Sequence, residues 1–344
     1  MTLGRLSWGH LNHSGNEGMT LLKNLVRRSA ILAIAAVGFV MMFRTFSQAA
    51  QGDAQGLFTQ ATELLDQGKF AEAAEGFTKC LATNPHMLKA LFDRAIANEM
   101  VDRQKAIEDW EKFATEAHDD PQLKWLAARA AARVQILQKM PAAPEGLSPS
   151  HYVAADGDYY QRVAEDSEGL QWRHFPIKVY LGSAPQVKWQ YGARDAFDIW
   201  RAIVPLQLVA NESQADIRIG WNESVTRQGH AGEELDWVQF KREGDQMTGR
   251  RIAVITVDLS RPWSKDEMRA IMLHEFGHAL GIKGHSDSKK DIMYFQMQEK
   301  YRRIPVPMPV TQVFWKSLVK NPSQRDVNTL IRLYNSAGYI APLH

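Results

Sequence analysis

The sequence predicts an α+β architecture: strands and helices mixed over residues 170–344, behind an all-helical segment over 55–140. Three observations carry this. Short alternating apolar runs recur between Pro176 and Asp258, with one amphipathic helix among them. Residues 264–281 read as a helix with a start and a stop signal. Residues 55–140 repeat a pattern of small and aromatic residues at helical spacing.

The chain has 344 residues, 41 Lys and Arg against 39 Asp and Glu, and one cysteine. That length accommodates two or three domains. The near-balanced charge, with no basic stripe or interleaved aromatics, gives no sign of a nucleic-acid partner. A single Cys80 excludes an internal disulfide framework and a four-cysteine metal site.

Residues 1–49 read as an N-terminal signal or anchor. Lys23, Arg27 and Arg28 precede an apolar run from Ala30 to Phe43, and Ser47-Gln48-Ala49 offers small residues for cleavage. The run is short for a bilayer crossing. The expectation is export, secreted or periplasmic, with membrane attachment only if this segment stays uncleaved. Translation starting at Met19 instead of Met1 is compatible with the pattern.

In 55–140, Gly68, Phe70, Ala73, Phe77, Cys80 and Pro85 recur on a template with Ala61 and Leu64 in a preceding helix. A looser second copy holds Ala95, Ala106, Trp110 and Phe113, then Pro121. A further helix from Pro121 to about Met140 would cap the array. The spacing, about 34 residues, makes the segment resemble tetratricopeptide repeats. Two readings stay open: a concave surface for a protein partner, or helices that merely pack on the rest of the chain. Cys80 falls at a small core position. Residues 141–169 read as a linker, with Pro-Ala-Ala-Pro-Glu-Gly at its start.

Pro176 to Leu181 alternates as a half-buried strand. Tyr191 to Ile203 carries Ala193, Ala196, Phe197, Trp200 and Ile203 on one helical stripe. Leu206–Val209 and Ala215–Trp221 are further strands. Leu235–Lys241 and Ile252–Asp258 bracket a polar loop with Gly244 and Gly249, a hairpin signal. Ser264 and Glu267 then form a capping box that starts a helix at Lys265. Met268, Ile271, Met272 and Leu273 give it an apolar face, and Gly281 ends it as a left-handed residue.

On that helix His274 and His278 lie one turn apart on one face. Both imidazoles can address one metal ion. Glu275 beside them can reach a water on that metal without being a ligand. After the turn at Gly281, His285 can supply a third nitrogen, and Asp287 competes for that role. Three protein ligands with an open position is the pattern of a catalytic zinc, one Zn2+ ion.

These residues resemble the metzincin metalloproteases, and the matrixin branch in particular. His274, Glu275, His278 and Gly281 match that family's motif, and Ile292-Met293-Tyr294 resembles its methionine turn. Pro322-Ser323-Gln324-Arg325-Asp326-Val327 and Leu333-Tyr334-Asn335 resemble its capped C-terminal helix. The family would place the third histidine at 284, where Gly284 stands. His285 follows, so the loop is one residue longer.

The resemblance covers roughly 170–336. It implies a twisted mixed sheet, a zinc-binding active-site helix and a C-terminal helix. It implies peptide-bond hydrolysis, with Glu275 as the base and protein or peptide as substrate. It implies that Met293 lies beneath the zinc as a hydrophobic floor and that Tyr294 is a wall residue. Leu235–Lys241 corresponds to the family's edge strand, either open to a substrate strand or blunted by Lys241 and Arg242. The family's structural-zinc cluster around His230 and its calcium loop are not matched. Ile304–Val310 follows the methionine turn, stiffened by three prolines, and could line a specificity pocket. Cys80 sits in Thr-Lys-Cys-Leu and lacks the Pro-Arg-Cys-Gly setting of a matrixin pro-segment. The competing reading is a repeat-based binding protein with an inactive protease-like domain, against which the intact Glu275 counts.

Overall fold

The computed structural model describes residues 52–221, 231–243, 246–294 and 321–343, with backbone alone at 240–243 and 246–248. The expectations for 1–49, His230 and Ile304–Val310, and for the side chains of Lys241 and Arg242, lie outside these residues. Among the described residues no helix is long and apolar enough to cross a membrane. The chain divides into two compact units, Met1–Gly56 and Leu57–His344. Of the first, only 52–56 is described, and it is helical.

Five helices occupy residues 52–139. They are α1 (52–66), α2 (Phe70–Thr83), α3 (Leu88–Glu99), α4 (Arg103–Glu116) and α5 (Lys124–Lys139). From α2 to α5 each helix packs on the next. Gly76 permits the close crossing of α2 over α1, since a Cβ there would stand 2.9 Å from that of Ala61. Phe77 fills the space beside it against Phe58, and Trp110 and Phe113 flank Phe92. Phe58 and Leu65 are the large buried residues on α1, and Leu64 is half-buried. Cys80 is buried, its thiol directed at the Met87 sulfur 3.3 Å away.

Several inner polar groups of these helices are bonded within the chain. Arg133 of α5 forms a buried pair with Glu99 of α3, at 2.7 Å, and donates to Gly338 O. Glu99 also accepts from Trp110 Nε1 and Ala337 N, and Asp93 accepts from Leu343 N. Residues 337–343 therefore lie against α3 and α5, and these contacts pack the helical segment against them.

Residues 141–169 are not a loose tether. They form short 3-10 turns and α6 (Tyr160–Val163), laid along α9 (Gln324–Asn335). Asn328 bonds Val153 and Gly157, Thr329 accepts from Tyr159 N, Asn335 donates to Leu147 O, and Arg332 pairs with Asp158 at 3.1 Å. The Pro- and Ala-rich composition at 141–144 signalled a linker. The buried Leu147, Tyr159, Tyr160 and Val163 that follow turn it into a strap.

The sheet has five strands in the order β2-β1-β3-β5-β4. They are β1 (Ile177–Tyr180), β2 (Leu206–Leu208), β3 (Ile217–Ile219), β4 (Gly232–Glu243) and β5 (Gln246–Val257). The first four positions run parallel, and β4 is antiparallel at the edge. The hairpin is longer than its sequence signal. Gly249 pairs with Phe240 inside the ladder, and the strands meet at Glu243 and Gln246.

Helix α7 (Val187–Arg201) begins a turn before the predicted Tyr191, with Trp189 buried in that extra turn. It crosses α8 (Lys265–Ala279) at Gly192, where a Cβ would stand 2.8 Å from Lys265 O. Phe197, Trp200 and Phe276 are fully buried, each contributing roughly 1.5–3 kcal/mol through removal of apolar surface from water. Trp200 Nε1 donates to Leu273 O, so the indole buries its bulk without stranding its one donor.

Candidate metal centre

The active helix starts and stops where its residues dictate. Ser264 Oγ accepts from Glu267 N while Glu267 accepts from Ser264 N, the reciprocal capping box. Met268, Ile271, Met272 and Leu273 are all fully buried. Helix α8 ends at Gly281, φ +113°, a conformation glycine adopts without steric cost. Its last carbonyls are satisfied from three elements. Trp172 Nε1 and Arg251 donate to Ala279 O, and the Tyr334 hydroxyl donates to Leu280 O.

His274, His278 and His285 come together with one ligand atom each, all within 4.8 Å of one another. The three rings are half-buried. His274 and His285 lie nearly stacked, with centroids 5.2 Å apart, and His278 stands edge-on to both. Asp287 does not join them; it is exposed and pairs with Arg325 at 3.0 Å.

Backbone carbonyls fix the tautomers. His274 Nδ1 lies 2.8 Å from Ile292 O, and His278 Nδ1 lies 2.7 Å from Ile282 O. A carbonyl only accepts, so both Nδ1 atoms carry the proton and both Nε2 lone pairs are free to ligate. Burial holds the pKa of His274 below its ordinary value. Burial, then the neighbouring His274 and His285, hold His278 well below it. His274 and His278 are thus neutral nitrogen donors, and with His285 they make a three-imidazole set that fits zinc.

Glu275 is buried, with its carboxylate against Gly232 at the start of the edge strand. Desolvation pushes its pKa up to about 8, with Glu234 and Glu233 adding to the rise and Lys283 opposing it. Such a carboxyl exchanges a proton near neutrality, as a general base must.

The floor of the site is the turn Asp291–Tyr294. Met293 is fully buried and seats against Gly277 of α8, where any Cβ would collide with its sulfur. Tyr294 is half-buried at the end of the turn. The turn is held from α9: Asp326 accepts from Ile292 N at 2.9 Å and from Tyr159 Oη at 2.6 Å, and Arg325 pairs with Asp291 at 2.7 Å. Ser286 N donates to Met293 O, joining the residue after His285 to the same turn. The roles of Asp326, Asp291 and Gly277 were not legible in the sequence. The capping pattern at Ser323 was the only signal that touched them.

Residues 170–307 match the matrixin family, peptidase M10. The match covers less than half of the chain and supports a matrixin-like metalloprotease domain there, a hydrolase with peptide or protein substrates. The mixed sheet with its helices is compatible with that domain. The helical segment lies outside the match, so its likeness to tetratricopeptide repeats rests on the residue pattern alone. No curated protein matches the chain.

Proposed function

We propose that this protein is an exported zinc endopeptidase whose metal is held by His274, His278 and His285. The observation that carries the reading is the convergence of three imidazoles beside a buried Glu275, inside a stretch that matches the matrixins. Zinc held by these three imidazoles would supply a Lewis acid for the scissile carbonyl and would lower the pKa of the attacking water. Glu275 takes the proton of that water and returns it to the leaving amine. Gly232 keeps the carboxylate close to the strand where a peptide would lie. β4 is the sheet edge, and an extended substrate would add to it through backbone hydrogen bonds. Export rests on the basic and apolar pattern of residues 23–49.

Hydrolysis of casein by the purified protein, with and without a chelator and beside Glu275→Gln, tests the reading. Activity that needs metal and falls at least ~100-fold in the variant supports it. A protein that binds no zinc and cleaves nothing overturns it.

A further inference from the structure

The loop that delivers His285 is built to be loose yet is pinned at several atoms. Gly281 and Gly284 both adopt positive φ, +113° and +107°, and flank the dipeptide Ile282-Lys283. Two such glycines leave the intervening backbone many conformations to lose. Five contacts select one. The Ile282 side chain is fully buried, Ile282 N donates to Gly277 O, and Ile282 O receives the His278 Nδ1 proton. Lys283 N donates to Ser167 Oγ at 2.9 Å. The Lys283 ammonium sits between Glu234, to which it is tightly bonded, and Asp236 at 2.7 Å.

Only the last contact reaches the edge strand. Glu234 and Asp236 lie on the same face of β4, two residues apart, and the Glu234 side chain is 2% exposed. Arg251 holds Asp236 from the other side at 2.6 Å and rests over the Trp172 ring. The clamp is thus anchored on both strands of the hairpin. A partly buried ammonium between two carboxylates is not a solvated surface pair, and its geometry is worth more than a screened one.

We propose that Lys283 is a positioning residue: its clamp on Glu234 and Asp236 orders the glycine-flanked loop, and so fixes His285 and the carbonyl that orients His278, against the edge strand. The proposal rests on the zinc reading above. It ties the geometry of two metal ligands to the strand on which a substrate would lie.

Zinc affinity of the full chain, measured by competition with a chromophoric chelator, and the visible spectrum of the cobalt(II) form test this without any substrate. Lys283→Met should weaken metal binding by about 10–100-fold, the cost of losing an outer support of a ligand. It should also shift the cobalt bands, because His285 and His278 lose their fixed orientation. Since Lys283→Met leaves the buried Glu234 with only Arg251, 4.0 Å away, to offset its charge, Glu234→Gln with Lys283→Met removes the clamp with no stranded charge. The double variant should keep its metal-free melting temperature within a few degrees and still bind weakly. Lys283→Arg should recover most of the affinity. A double variant with wild-type affinity and an unchanged cobalt spectrum overturns the proposal while leaving the zinc reading intact. Metal-free unfolding of both methionine variants would reduce Lys283 to a fold-stabilising role and equally overturn it. A wild-type chain that binds no metal removes the zinc reading first and this role with it.

Discussion

At the scale of single residues, the metal centre depends on side chains that never touch the metal. Asp326 accepts two backbone N–H groups, from Ile292 and Ser323, on one carboxylate oxygen. Ile292 in turn supplies the carbonyl that orients His274. Asp326→Asn keeps the shape but turns one acceptor into a donor. If the amide faces those N–H groups it meets donors; if it flips, it meets the Tyr159 hydroxyl and Met293 N. The expected cost is about 1–3 kcal/mol of stability from unsatisfied buried groups and roughly 10-fold in zinc affinity, read by denaturant unfolding and chelator competition. Lost stability with unchanged affinity would show that Asp326 only caps α9. Gly277 makes a separate point. Ala favours a helix interior by up to about 1 kcal/mol, but a methyl at 277 collides with the buried Met293 sulfur, and overpacking costs about 1–3 kcal/mol. Gly277→Ala should therefore lower the melting temperature; a rise would mean that Met293 moves aside freely.

Elements show why the sequence revealed α8 and concealed its surroundings. The capping box, the apolar face, the terminal glycine and the histidine spacing are all local, so Lys265–Ala279 was legible to the residue. The hairpin was legible as a hairpin, but its length was not. Gly249 looks like a turn residue and is instead held in the ladder opposite Phe240, where tertiary pairing overrides local preference. The strap at 141–169 was hidden for a related reason. Its composition is that of a linker, and its partners, Asn328, Thr329 and Arg332, lie far along the chain. The third-ligand loop combines both cases, with legible glycines and an illegible clamp. The same logic applies to α3 and α5, joined by Glu99 and Arg133, whose side chains are 2% and 6% exposed. Removing one partner of such a pair leaves the other charged and buried, costing about 3–5 kcal/mol. Arg133→Met should be destabilised by that order, and Glu99→Gln with Arg133→Met by clearly less. Equal losses in the two would mean that packing, not the charge, holds α3 to α5.

At the scale of the whole molecule, Leu57–His344 is one compact unit, so the helical segment and the matrixin-like part should unfold together. Part of the bond between them is pH-sensitive in a defined direction. Asp93 of α3 is fully buried and accepts from Leu343 N, with its other oxygen unpartnered. Desolvation raises its pKa from 3.8 to about 7; the Leu343 N–H and Lys89 oppose the rise and Asp66 adds to it. The folded state therefore keeps a proton that the unfolded chain gives up. Between about pH 4 and 7 the folded chain binds more protons than the unfolded one, so the Asp93 contribution is complete at low pH and is lost as pH rises through 7. Glu234 and Glu275, raised to about 7 and about 8, act with the same sign, and the difference between wild type and Asp93→Asn isolates Asp93. The amide that this substitution introduces can still accept from Leu343 N and carries no charge to desolvate. The variant should match wild type near pH 4 and exceed it above pH 7 by on the order of 2–4 kcal/mol, since each tenfold change in proton affinity is worth about 1.4 kcal/mol. Unfolding followed by calorimetry at both pH values checks this, in metal-free protein so that the imidazoles contribute equally to both chains. A stability difference that is the same at about pH 4 and about pH 8 would place the Asp93 effect in packing. Two separate transitions at either pH would show that the contacts of α3 and α5 with residues 337–343 do not couple the two parts.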